Sequence, residues 1–207
     1  NNDIVPCDDS FASAPPDGPQ NALVQARGDL VLRRGHRGAG ETVWVADTGF
    51  EASHPDLGNV TAEAIEADSD ADLDGHGTRM TGIIGATADN GIGIAGLAPD
   101  ATVVVERTIL STSIEMRAGI ELAPAGTSVI NASFGGCWDP AAPVWGVNDL
   151  CQAVANAIDN GSVVVAAANN TTGFGCTTNT TLSYPGSCDL DNAALTSFTA
   201  AQKAGLI

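Results

Sequence analysis

Four short runs of apolar, largely β-branched residues, at positions 41–49, 101–109, 127–136 and 162–170, most constrain what this chain can fold into. Their continuity, without polar alternation, reads as strands buried on both faces. Between them lie stretches with small and apolar residues at helical spacing, residues 76–88, 112–123 and 147–161, the last closed by Gly161. Another helical stretch, residues 22–35, runs into a Gly-rich turn at Gly35, Gly38 and Gly40. Strands alternating with helices predict an α/β fold of three layers, a mostly parallel central sheet with helices on both faces. Catalytic groups in such sheets sit beyond the carboxyl ends of the strands.

With 207 residues, 43% of them hydrophobic, the chain can bury one sizeable core, so one domain is expected over residues 26–207. Residues 1–25 carry Pro6, Pro15, Pro16 and Pro19 without periodicity and read as an extended arm. The net charge is -17, from 25 acidic against 8 basic residues, which argues against a surface that tracks phosphates and sets nucleic acid aside. No apolar run approaches the ~20 residues that span a bilayer. Nor does the chain open on a signal segment, so an export signal or pro-segment is expected to have been removed.

The five cysteines, Cys7, Cys137, Cys151, Cys176 and Cys188, lack the paired spacing of a zinc site and cluster in Gly/Asn/Pro-rich loops, which favours disulfides. The simplest connectivity joins Cys137 to Cys151 and Cys176 to Cys188. Such bonds imply an oxidising, extracellular setting.

Two residues carry an evident chemistry. Asp47 ends the first strand and precedes Thr48-Gly49, so a tight turn holds its carboxylate at the strand's carboxyl end. His76 lies between Gly75 and Gly77 at the start of a small-residue helix, from which its ring can meet a group on a neighbouring strand. An acid followed in the chain by a histidine matches one known order of the Ser-His-Asp triad, in which the acid fixes the imidazole tautomer and the histidine accepts the nucleophile's proton.

Five motifs in order, VADTGFEASHPDL from Val45, HGTRMTGIIGA from His76, NGIGIAGLAP, VINASFGG and VVVAAANN, resemble those of the subtilisin-like serine proteases. The resemblance implies a secreted serine endopeptidase, working through an acyl-enzyme on an extended peptide or protein substrate, with Asp47 and His76 in its triad. It implies that Asn170 donates a hydrogen bond to the oxyanion, an interaction worth about 3–4 kcal/mol in the transition state. A one-residue slip would give that role to Asn169, which otherwise stands where the family has Gly and narrows the specificity pocket. Ser133, Phe134 and Gly135 would line the cleft, where an extended peptide pairs as an added strand, with Ala167 and Ala168 as the opposite wall. A structural Ca²⁺ is implied at Asp56 and Asn90, with carbonyl oxygens from Ala88, Ile92 and Ile94, since hard oxygen ligands suit that ion.

The nucleophile has two placements. Residues 195–207 can be aligned with the family's nucleophile motif, which makes Ser197 the serine. In the alternative, residues 192–200 form the next sheet strand and the QKAGLI segment from Gln202 begins the following turn. The protease domain is then incomplete at its C-terminus, and the serine lies beyond the chain end or on a second chain. A catalytically silent module that binds peptide or a partner through the same cleft is the competing function. Two further patterns are set aside. Asp70, Asp72, Asp74 and Gly75 imitate an EF-hand opening but reach Thr81 at the twelfth position, and read as a solvated acidic loop. Gly91, Gly93 and Gly96 imitate a dinucleotide fingerprint between a helix and a following strand, the reverse of the required context.

Overall fold

The structure, a computed structural model, describes residues 21–62, 71–108, 112–138, 147–167, 182–185, 188 and 199–207. In chain order the elements are α1 (Asn21–Gln25), α2 (Gly28–Arg33), β1 (Thr42–Asp47), β2 (Val60–Ala62), α3 (His76–Gly85), β3 (Thr102–Arg107) and α4 (Ser113–Glu121). They continue with β4 (Val129–Ala132), β5 (Gly136–Trp138), α5 (Val147–Asp159), β6 (Val163–Ala166), β7 (Leu182–Tyr184) and α6 (Ala200–Gly205). Among the described residues, five strands form a parallel sheet in the order β2-β3-β1-β4-β6, and β5 pairs with β7 in an antiparallel ribbon.

Side-chain parity along β1 explains the sandwich. Trp44 and Ala46 point to one face, where they pack with Met116 and Ile120 of α4 and with Leu150 and Val154 of α5. Val43 and Val45 point to the other, into a cluster with Leu57, Val103, Val105 and, at its margin, Ile84 of α3. Since successive strand residues alternate faces, a strand covered by helices on both sides must be apolar throughout. The Trp44 indole meets its hydrogen-bonding need by donating to the Gly119 carbonyl at 2.7 Å.

The expected elements form, with three differences. The stretch read as one helix over 22–35 is two, α1 and α2, broken at Arg27, whose φ is 59°. The break lowers Gly28 against Leu97 so closely that a Cβ there would collide with the leucine's Cδ2. The first of the two helices, α1, begins at Asn21, one residue ahead of the helical stretch read from 22, and residues 1–20 lie outside the described residues. At the C-terminal end, the segment read as a turn is α6, started by a capping box. Thr199 Oγ1 accepts from the Gln202 N–H and the Gln202 side chain accepts from the Thr199 N–H. The strand expected at 192–200 falls largely on residues outside the description, and it is Leu206 that bridges in parallel to Val164 at the β6 edge.

The cysteine pairing is also corrected. Cys151, on the buried side of α5, is bonded to Cys188, with Cα atoms 5.3 Å apart, so neither expected local pair forms. Both cysteines are fully buried in the α4/α5 core, and that shared burial rather than proximity in sequence selects the partner.

Candidate active site

Along the strand order, β1 is the element from which the chain goes to β3 on one side and later to β4 on the other. The crevice at the carboxyl ends of β1 and β4 is therefore the switch point at which such sheets place ligands. Asp47, the last residue of β1, opens onto it. It has the same parity as Val43 and Val45, so its side chain emerges on the face covered by α3.

His76 is the first residue of α3 and meets it there. Its Nδ1 lies 2.7 Å from Asp47 Oδ1. The carboxylate is fully buried, whereas the imidazole side chain is 35% exposed, so one ring nitrogen faces a buried anion and the ring reaches solvent. An ionised carboxylate only accepts, so in this contact Nδ1 is the nitrogen that donates. Asp47 Oδ1 also accepts the Thr48 N–H at 2.8 Å.

Close backbone approach brings the two elements together. A Cβ on Gly77 would strike the carbonyl oxygen of Gly49, in the turn after β1, so only glycine allows α3 to start this near. The helix N-cap, Gly75, has φ 83° and offers no side-chain cap. Thr48 and Asp72 supply the missing acceptors. Thr48 Oγ1 accepts from the Gly77 N–H at 2.9 Å, and Asp72 Oδ2 accepts from the Thr78 N–H at 2.8 Å. Within a loop whose Ala71, Leu73 and Asp74 are exposed, Asp72 is half-buried and both its oxygens accept protein hydrogen bonds, so it is not the solvated carboxylate its sequence context suggested. Burial acts to raise its carboxyl, but donors from Thr78, Thr48 and Gly75 outweigh burial and bring it down to about 2. The signal for this role was in the sequence, an acid four residues ahead of a histidine that opens a helix.

The cleft residues expected on β4 lie at the same end of the sheet. In the register, Val45 faces Asn131; two residues further on, β1 ends in Asp47, and Ser133 follows Ala132, the last residue of β4. The Ser133 hydroxyl is paired with the Asn131 side chain at 2.9 Å, Phe134 is buried in the core, and Gly135 is exposed. Ala167 follows β6 and donates its N–H to the Ala132 carbonyl at 3.3 Å, which sets it beside Ser133. Ala168, Asn169, Asn170 and Ser197 lie outside the described residues.

Profile comparison over residues 38–203 matches the subtilase family. The chain belongs to that family. Among similar proteins, subtilisin DY of Bacillus licheniformis is 37% identical over 170 residues, covering 79% of this chain and 58% of that protein. Thermitase of Thermoactinomyces vulgaris is 35% identical over 171 residues, covering 78% and 57%. This subtilase chain therefore spans rather more than half the length of these two relatives. Among solved structures, MycP1 with its N-terminal propeptide removed superposes with a TM-score of 0.66 at 24% identity, covering 85% of this chain and 62% of that one. The nisin leader peptidase NisP from Lactococcus lactis gives 0.56 at 27% identity, covering 65% and 45%.

Subtilase helix α6, nearest in sequence to Ser197, is held at the far end of the sheet. Gln202 Nε2 donates to Asp159 at 2.8 Å, and Gly205 packs on Ile158, both just ahead of the amino end of β6. Asp47 and His76 are at the carboxyl end.

Of the residues named for calcium, Asp56, Asn90 and Ile94 meet. Asp56, 2% exposed, accepts from Asn90 Nδ2 on one oxygen and from the Ile94 N–H on the other, each at 2.8 Å. The loop folds so tightly over this carboxylate that a Cβ on Gly93 would overlap it. Arg37 braces the loop by bonding Asp89 at 3.2 Å and Asp100 at 2.7 Å. A hard cation takes oxygens, whereas here both Asp56 oxygens meet N–H donors and Asn90 Oδ1 accepts from the Ile92 N–H at 3.1 Å, so an ion would have to take the place of these hydrogen bonds. Among the described residues no cluster of three or more His, Cys, Asp or Glu side chains could hold a metal. No helix among them is long and apolar enough to cross a membrane.

Proposed function

We propose that this chain is the acid- and base-bearing part of an extracellular serine endopeptidase. The observation that carries the reading is the 2.7 Å contact between His76 Nδ1 and buried Asp47. Asp47 holds the imidazole with Nε2 free, and Nε2 takes the proton of a serine hydroxyl as its oxygen attacks the peptide carbonyl. Asp47 then stabilises the imidazolium, which returns the proton to the leaving amine. The side chain of Asn170 donates to the oxyanion, and residues 133–135 hold the substrate as an extended strand beside Ala167, Ala168 and Asn169. The buried disulfide agrees with an oxidising compartment. Ca²⁺ bound by Asp56, Asn90 and the carbonyls of Ala88, Ile92 and Ile94 would brace the loop beside α3.

The serine is supplied by polypeptide beyond Ile207 or by a second chain. The reason is the position of α6, whose contacts with Asp159 and Ile158 draw the segment after Ser197 to the end of the sheet opposite His76. A fluorophosphonate probe tests both statements. The 207-residue chain should stay unlabelled, and a longer or complemented form should label at one serine and lose labelling with His76→Ala. An adduct at Ser197 would overturn the external serine. An unlabelled but folded longer form would overturn the enzyme and leave a peptide-binding module.

A further inference from the structure

Asp72 connects the two segments on which the acid and the base stand. Its Oδ1 accepts from the Thr48 hydroxyl at 2.8 Å, the Gly75 N–H at 2.8 Å and the Asp74 N–H at 3.2 Å. Its Oδ2 accepts from the Thr78 hydroxyl at 2.7 Å and the Thr78 N–H at 2.8 Å. Thr48 is the neighbour of Asp47, and Thr78 follows His76 by two residues. Each hydroxyl has one hydrogen. That of Thr48 has a closer acceptor in Asp72 than in Asp47 Oδ1, which is 3.3 Å away. Both threonines then spend their acceptor capacity across the gap, Thr48 on the Gly77 N–H and Thr78 on the Glu51 N–H at 3.0 Å. The turn after β1 and the first turn of α3 are thereby stitched in both directions through a single carboxylate.

We propose that Asp72 is a positioning residue, which holds His76 in register with Asp47 by clamping Thr48 and Thr78. Its catalytic consequence rests on the reading of Asp47 and His76 given above. The clamp itself does not, and can be read without turnover. Asn cannot replace it, because an amide nitrogen cannot accept from either threonine. Asp72 hydrogen-bonds neither the Asp47 carboxylate nor the imidazole, and Thr48 reaches Asp47 Oδ1 only at 3.3 Å, so their loss should misplace the imidazole rather than remove a functional group.

The experiment is proton NMR of the 207-residue chain, following the far-downfield signal of a histidine Nδ1–H shared with a carboxylate, together with hydrogen exchange at the Gly77 and Thr78 amides. Wild type should show the signal and His76→Gln should lack it. Asp72→Asn and Thr48→Ala should lose it and exchange faster at both amides, whereas Thr48→Ser, which keeps the hydroxyl, should restore both. Asp74→Asn removes the same charge from an exposed neighbour and should change neither. In an active longer form, Asp72→Asn should lower kcat about 10- to 100-fold with little change in KM. The proposal is overturned if wild type lacks the signal, if Asp72→Asn retains it, or if Asp74→Asn abolishes it equally. Should Asp72→Asn not fold, the Thr48→Ala and Thr48→Ser pair still decides. Failure of the protease reading would show as an unlabelled longer form with the NMR pattern intact.

Discussion

Replacing Gly77 by alanine sets two magnitudes against each other. In the interior of a helix, alanine is favoured over glycine by about 1 kcal/mol. Against this, the new methyl would overlap the Gly49 carbonyl oxygen and stand 3.1 Å from both its carbonyl carbon and its nitrogen. Gly49 cannot swing aside. Its φ of 103° is a glycine conformation, and a Cβ placed on its free side would lie 3.1 Å from the Ala71 carbonyl oxygen. Relief must come from α3 retreating by roughly 1 Å, and such overpacking costs about 1–3 kcal/mol. The net change is a loss of up to about 2 kcal/mol, or about 2–4 °C in Tm per kcal/mol for a chain of this size. The larger effect is local. A retreat of roughly 1 Å stretches the 2.7 Å Asp47–His76 contact beyond hydrogen-bonding distance, for which about 100-fold in turnover is a reasonable expectation. Gly82→Ala in the same helix is the control, because its methyl would meet only Ile94 Cδ1 at 3.7 Å, an ordinary contact. Calorimetry should find Gly82→Ala at or above wild type and Gly77→Ala below it, and only Gly77→Ala should lose the His76 proton signal. If Gly77→Ala matched Gly82→Ala in both measurements, the argument that glycine is required for the approach of α3 to β1 would be wrong.

Three other outcomes are expected. Non-reducing peptide mapping should recover Cys151 linked to Cys188, and a Cys151→Ser, Cys188→Ser variant should lose about 4 kcal/mol in urea unfolding, the chain-entropy value for a separation of 37 residues; a Cys137–Cys151 peptide would contradict the pairing. Asp72 titrates near 2 in the folded chain against an ordinary 3.8, a depressed value, so its stabilisation is complete above about pH 4 and is lost as pH falls through 2. The difference in urea midpoint between wild type and Asp72→Asn should accordingly be constant above pH 4 and shrink between pH 4 and pH 2; a constant gap down to pH 2 would refute the assignment. Calcium chelation should lower the melting temperature of wild type and leave that of Asp56→Ala, already lower for want of an acceptor for Asn90 and Ile94, unmoved; a wild-type chain indifferent to chelator holds no such ion.

What the sequence disclosed and what it withheld divide along a physical line. The strands of the main sheet other than β2, and the helices α3, α4 and α5, follow from apolar continuity and helical spacing, which neighbouring residues determine. The three-residue strands β2, β5 and β7 are too short to carry a pattern and exist because a partner strand is present. The partner of Cys151 lies 37 residues away in a shared core, and no local spacing encodes that. Asp72 was misread for a related reason: its acidic neighbours suggested solvent, whereas its donors come from the far side of the β1 turn and from the helix after it.

Asp47 and His76 were legible because the pattern that buries β1 also aims its last residue. Val43 and Val45 need the α3 face, and Asp47 continues their parity. A slip of one residue in β1 would carry those valines to the wrong layer and turn Asp47 away from His76 at the same time. The burial of hydrophobic side chains along the strand therefore enforces the direction of the carboxylate, while the glycine contact at residue 77 and the Asp72 clamp set its distance from the imidazole. Direction comes from the core and distance from the turn, which is why substitutions in the turn should disturb the acid–base contact while leaving the fold largely in place.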